Sequence, residues 1–208
     1  DGNMRGLIGK KIGMTRVFDS GGKVIPVTVL EAGPCQVTHV KTVEKDGYDS
    51  VQVGFIDAKE KHLTKPLMGH FKKNSVSPKR ILAEFVKVPS FDYKSGQVFN
   101  VGLFKEGDHV TVCGRSKGHG FSGTVKKYSF SQQRKTHGQG DTHRHVGSIG
   151  AASYPSRVFP GKKMPSRYGN KRVSVKSLEI IKVDKTNNQL LVKGSVPGST
   201  NGIVMITR

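Results

Sequence analysis

The chain has 208 residues, with 35 Lys and Arg against 15 Asp and Glu, a formal charge of +20 and a pI near 10.1. That charge calls for a polyanionic partner, and because no apolar run approaches the roughly 18 residues of a spanning helix and no basic amphipathic helix is evident, nucleic acid ranks ahead of a membrane surface. With 34% hydrophobic residues and no tryptophan there is material for one modest core and not for two.

Asp1–Asn3 precede Met4 and read as a short extension that carries no argument. Leu7–Phe18 (LIGKKIGMTRVF) has glycines that disfavour a helix and reads as a strand with Lys10, Lys11 and Arg16 on a basic flank. Ser20–Lys23 is a turn into Val24–Leu30, where β-branched residues dominate and Pro26 suggests an edge or a bulge. Cys35–Val43 is a further strand, Asp46-Gly47 a turn, and Ser50–Phe55 the next strand, so this half reads as an antiparallel meander. His39, in the middle of it, reads as an ordinary packed or surface residue. Lys65–Lys73 is the least strand-like part and predicts a short helix before Ile81–Val88 resumes β character. Gln97–Val101 and His109–Cys113 are short strands. After the excursion described next, VSVKSLEIIKV alternates but changes phase around Ser177, which predicts a bulge. An Asn187-Asn188 turn, Leu190–Lys193 and Ile203–Ile206 close the chain. Many short strands between Gly, Pro and Asn turns predict a mainly β fold with minor helix, a closed or nearly closed barrel interrupted by one insertion.

Cys35 and Cys113 belong to no C-x-x-C pair. Each lies in a strand-like run and reads as a small buried residue, and with no signal peptide evident the pattern fits a reducing, cytoplasmic compartment.

The insertion holds most of the charge. Arg115–Lys176 carries 14 Lys and Arg and one acid, Asp141, a net +13. So polar a stretch cannot bury enough apolar surface to offset its ordering entropy, and a partner must order it. Six aromatics (Phe121, Tyr128, Phe130, Tyr154, Phe159, Tyr168) and four histidines are spread among its cations and glycines. Cations neutralise phosphates, aromatic and guanidinium planes stack on unpaired bases, and glycine permits close backbone approach, a combination suited to folded RNA. The expected organisation is a discontinuous barrel domain, residues 1–114 and 173–208, with an RNA-binding arm over 115–172. The expected RNA-facing residues are Lys10 and Lys11 in the first strand, then Arg115, Lys117, His119, Lys126, Lys127, Arg134, Lys135, His137, His143, Arg144, His145, Arg157, Lys162, Lys163, Arg167, Lys171 and Arg172 in the arm.

Two motifs compete with this reading. Gly118-His-Gly120-Phe-Ser-Gly123 matches the dinucleotide fingerprint, but TVKKYSF after it is β-branched and aromatic, so no helix N-terminus is expected to receive a pyrophosphate. His137 and His143 have a permitted zinc spacing, with His145 as a third candidate, yet Arg134, Lys135 and Arg144 oppose a dication. No metal, cofactor or small-molecule substrate is expected. The same histidines leave a general acid-base ribonuclease as an alternative, and a free-standing RNA chaperone as another.

GLIGKKIGMT, SKGHGFSGTVKKYSF, THG followed by HR, GSIG and VFPGKKM, in this order, resemble the L-three family of large-subunit ribosomal proteins in its bacterial or organellar form. The likeness covers essentially the whole chain. It implies a barrel of the translation-protein type and a loop threading through large-subunit ribosomal RNA towards the peptidyl-transferase centre. It also implies binding near the RNA's 3′ domain early in assembly, beside the proteins L fourteen and L nineteen. Carried over by position, the loop tip is His143, Arg144, His145, Gly147, Ser148, Ala151, Ala152, Ser153 and Tyr154. Where many bacterial relatives have a methylated glutamine after GSIG, this chain has Ala151, so that modification is not expected. Lys127 stands where relatives commonly have Arg, which keeps the charge but loses the planar fork.

Overall fold

A computed structural model describes residues 5–208, so Asp1–Asn3 lie outside the described residues. The chain forms two units, one running up to Ser116 and resuming at Arg172–Arg208, the other Lys117–Lys171.

In chain order the first unit opens with β1 (Gly6–Phe18), β2 (Val24–Ala32) and β3 (Cys35–Lys41), a single turn α1 (Val43–Asp46), β4 (Ser50–Asp57) and the helix α2 (Lys65–Lys73). β5 (Lys79–Val86), β6 (Val98–Phe99) and β7 (His109–Arg115) follow. The second unit supplies β8 (Gly118–Ser122), α3 (Thr124–Tyr128) and β9 (Ser166–Gly169), and the first then resumes with β10 (Arg172–Asp184), β11 (Gln189–Lys193) and β12 (Ile203–Thr207).

Six strands close a barrel in the order β1-β12-β7-β10-β11-β2, each pair antiparallel. Alternation explains it. On β11 Leu190 and Val192 are buried, and on β12 Val204 and Ile206, while their neighbours are at least partly exposed. Burying each such side chain stabilises by about 1.5–3 kcal/mol, which fixes the register, since a one-residue slip would turn all of them outward. Gly6 lets β1 lie close to β12, because a Cβ there would stand 2.3 Å from the Ile206 carbonyl oxygen. Pro26 pairs with Arg16 but lies beyond the β2–β11 ladder, which begins at Val27, so its missing N–H costs nothing on that side.

The phase change at Ser177 is a bulge. The β10–β7 register jumps between Val175 and Leu178, and Ser177 has φ of +54°. The helix over Lys65–Lys73 forms with Pro66 in its first turn and buries Phe71.

Three expectations need correction. The meander divides: β1 and β2 join the barrel, whereas β3 and β4 enter a separate four-stranded sheet, β5-β4-β3-β6, whose Val37, Val51, Val53, Phe55, Phe85 and Phe99 share one continuous core with the barrel residues. The strand from Cys35 ends at Lys41, because Val43–Asp46 coils into a turn that Gly47 closes at φ +82°. Gln97–Val101 yields only the two-residue β6, and Val101–Leu103 tightens into a 3₁₀ turn with Val101 fully buried. Both cysteines are free and buried. No helix among the described residues is long and apolar enough to cross a membrane.

Candidate nucleic-acid interface

Within Lys117–Lys171 no hydrophobic side chain is buried; the buried side chains there are Ser122 and Thr124. Local hydrogen bonds and turn geometry therefore carry its conformation in place of a core. β8 and β9 form a two-stranded ribbon with Gly118 opposite Gly169, Phe121 opposite Arg167 and Ser122 opposite Ser166. Gly169 has φ of +72°, and a Cβ on it would meet the Lys117 carbonyl oxygen at 2.0 Å, so no other residue fits without moving a strand.

The stretch after GHGFSG does become helical, contrary to the sequence reading. Thr124–Tyr128 makes one short α3, entered through extended Gly123 and ended by Ser129 at φ +58°, whose N–H donates to the Val125 carbonyl at 3.0 Å. Capping outweighs the weak helix propensity of Thr, Val and Tyr. Gly118 and Gly120 lie inside strand β8, not in a loop between a strand and a helix, so the dinucleotide geometry is not built.

Cations and rings interleave along this unit. The His119 ring stacks on Tyr168 with centroids 5.0 Å apart and planes 22° from parallel. Lys127 Nζ donates to Ser166 Oγ and lies 5.0 Å from the Tyr128 ring centre, while Lys163 Nζ lies 5.8 Å from the same ring. The hydrogen bond from Lys127 and the nearby positive charge hold the Tyr128 hydroxyl below its usual pKa. The Arg157 guanidinium sits 5.7 Å from the Phe159 ring. Phe121 and Tyr154 present rings that are 76% and 89% exposed. Lys117, Lys126, Arg134, Lys135, His137, Arg144, His145, Arg157, Lys162, Lys163, Arg167 and Lys171 are all exposed.

A side-chain clamp draws the loop from Gln133 to His143 closed. The Gln133 N–H donates to the His143 carbonyl at 3.1 Å, and His143 Nδ1 lies 2.9 Å from the Gln133 carbonyl. The Gln139 amide donates to Gln133 Oε1 at 2.6 Å and to Thr142 Oγ1. Arg134, Lys135 and His137 are carried on this loop, and the His145 N–H donates to the Thr142 carbonyl. Glutamine and threonine clamps carry no charge or period, so the sequence offered no signal for them. Beyond the clamp, Gly147 turns the chain at φ +79°, and Ala151, Ala152, Ser156, Arg157 and Val158 line a shallow concavity, with Ser148, Ser153 and Tyr154 exposed alongside. Among the described residues no three His, Cys, Asp or Glu side chains gather as a metal site.

The barrel cations separate into two kinds. Lys10 is partly exposed. Lys11, grouped with the RNA-facing residues by sequence, is 9% exposed and donates to the Val196 carbonyl at 2.7 Å and to Gly198 at 3.3 Å, so its charge is used inside the barrel. Arg115 and Arg172 pair opposite each other at the ends of β7 and β10 and belong to the barrel unit. Arg172 Nε donates to Cys113 Sγ at 2.9 Å.

The family described as Ribosomal protein L3 matches residues 83–189, a span running from β5 through the whole arm into β11. Over 203 residues, covering 98% of this chain and 94% of its relative, the sequence is 50% identical to "Large ribosomal subunit protein uL3" of Petrotoga mobilis. Identity at that level and across that length leaves one conclusion, that the chain belongs to the ribosomal protein L3 family.

Proposed function

We propose that this protein is a non-enzymatic structural constituent of the large ribosomal subunit whose arm binds large-subunit RNA near the 3′ domain. The observation that carries the reading is the arm itself, a unit rich in exposed cations and open aromatic faces with no buried apolar side chain. RNA supplies what such a unit lacks, phosphates for its cations and bases for its rings, and orders it by binding. The relative's printed name, a large-subunit protein, supports the same assignment. On this reading the protein joins early in assembly, its tip from His143 to Tyr154 approaches the peptidyl-transferase centre, and the proteins L fourteen and L nineteen are its neighbours.

Sedimentation of cell extract through a high-salt gradient tests it. Stable co-migration with large subunits is the expected result. Recovery only at the top of the gradient, with RNA-annealing activity in that fraction, would favour a free-standing chaperone.

A further inference from the structure

β5 is an edge strand. In the sheet β5-β4-β3-β6 it pairs with β4 from Asp57–Lys79 to Ser50–Val86, and among the described residues its other edge has no ladder partner. Beside β5 lies an open groove of about 420 Å³, floored by Ile8, Ile81, Ile203 and Met205 and bordered by Arg115 and Arg172. Of the charges that guard an edge, Lys79 is tied to Asp57 of β4 and Glu84 to Lys41 of β3, while Arg80 is exposed. Strand β5 is eight residues long, it lacks proline, and its Val86 is 61% exposed.

We infer that this groove and edge are a docking site for an extended segment of another protein, one with apolar residues at alternate positions and an Asp or Glu beside them. Each part of the site matches one part of such a segment. The open edge of β5 offers backbone donors and acceptors at strand spacing, which only another polypeptide strand meets in full. The aliphatic floor takes every second side chain. The two guanidinium groups suit a carboxylate, because their planar forks can donate two N–H bonds to its oxygens, and Arg172 is oriented by the bond from its Nε to Cys113 Sγ. RNA fits poorly here. The floor offers no aromatic face for a base to stack on, and a sugar–phosphate chain laid over Ile8, Ile203 and Met205 would desolvate its charges against carbon. The inference rests on the ribosomal reading only in that the partner is sought within assembled subunits.

The test places a benzophenone amino acid at Leu82, in the middle of β5, in the full chain expressed in its own cells. Large subunits are isolated on a gradient, irradiated, and the cross-linked peptides sequenced. A second variant carries the probe at exposed Arg80, so that a folding defect at Leu82 does not remove the test. The expected result is a single cross-linked protein segment with alternating apolar residues and an adjacent acid, and a cross-link yield lowered by roughly tenfold when Arg115→Glu is added. Cross-links to RNA, cross-links to this chain's own residues, or none in subunits that contain the variant would each overturn the inference. Failure of the ribosomal reading is seen separately, as absence of the unmodified protein from the subunit fraction of the same gradient.

Discussion

The ammonium of Lys11 and the carbonyl of Val196 are 2.7 Å apart, although 185 residues separate them in the chain. The backbone joins in: the Lys11 N–H donates to the Gly202 carbonyl at 2.9 Å and the Asn201 N–H to the Lys11 carbonyl at 2.7 Å. One residue of β1 thus pins the connection between β11 and β12 from three directions. Lys11→Met keeps the stem and leaves two carbonyls without their charged donor, an expected loss of about 1–3 kcal/mol. For a chain of this size that lowers Tm by roughly 2–4 °C per kcal/mol in calorimetry. The salt slope of RNA affinity should not change in this variant, whereas Lys126→Ala, at an exposed arm position, should make it shallower by about one phosphate contact.

The two thiols should differ sharply in reactivity. Burial raises Cys35 to about 11, so at pH 8 only about one molecule in a thousand carries its thiolate. Burial also acts to raise Cys113, but the hydrogen bonds from Ser174 and Arg172 and the guanidinium charge together bring it below its ordinary value. Iodoacetamide at pH 7–8 should therefore alkylate Cys113 and spare Cys35. Arg172→Gln should shift the Cys113 rate profile to higher pH, as read by peptide mass mapping. Equal rates at the two cysteines would contradict the geometry.

Affinity of the full chain for large-subunit RNA should fall steeply with salt. If about 6–10 arm cations meet phosphates, the loss is roughly 10³ to 10⁵ between 50 and 200 mM. Filter binding across that range measures it, and a nearly flat response would mean that phosphate contacts do not dominate.

Arg144 is exposed next to His143, whose ring is tied to the Gln133 backbone, and the proposed function puts both at the loop tip. Removing one cation among so many should leave incorporation intact, so Arg144→Ala subunits should contain normal amounts of the protein. Altered aminoacyl-tRNA binding or an altered response to peptidyl-transferase inhibitors is the expected phenotype. Subunits depleted of the variant would assign Arg144 to assembly instead.

Hydrogen exchange on the free protein should divide along the core. Amides of β1, β2, β7 and β10–β12 sit in closed ladders over buried side chains and should be the slowest. Residues 131–165, which contain no helix or strand, should exchange fastest and gain protection in intact subunits. Slow exchange there in the free protein would mean that the arm holds itself together without RNA.

What the sequence determined by itself is local. Alternating β-branched runs set the strands, a change of phase marked the bulge at Ser177, and Lys65–Lys73 declared its helix by lacking strand pattern. The clustering of Lys, Arg, Gly and aromatic residues between two strand-like segments marked the arm, because charge density and the absence of apolar period are read directly from composition. Tertiary structure decided what depends on partners far along the chain. Nothing in Gly6–Phe18 says that it will pair with Ile203–Thr207, or that Cys35–Lys41 will leave the barrel for a second sheet, since each strand shows the same alternation whichever neighbour it meets. The same holds for individual charges. Lys10 and Lys11 are adjacent and chemically identical, yet the pleat sends successive side chains to opposite faces, and only the closed barrel puts the Val196 and Gly198 carbonyls within reach of Lys11.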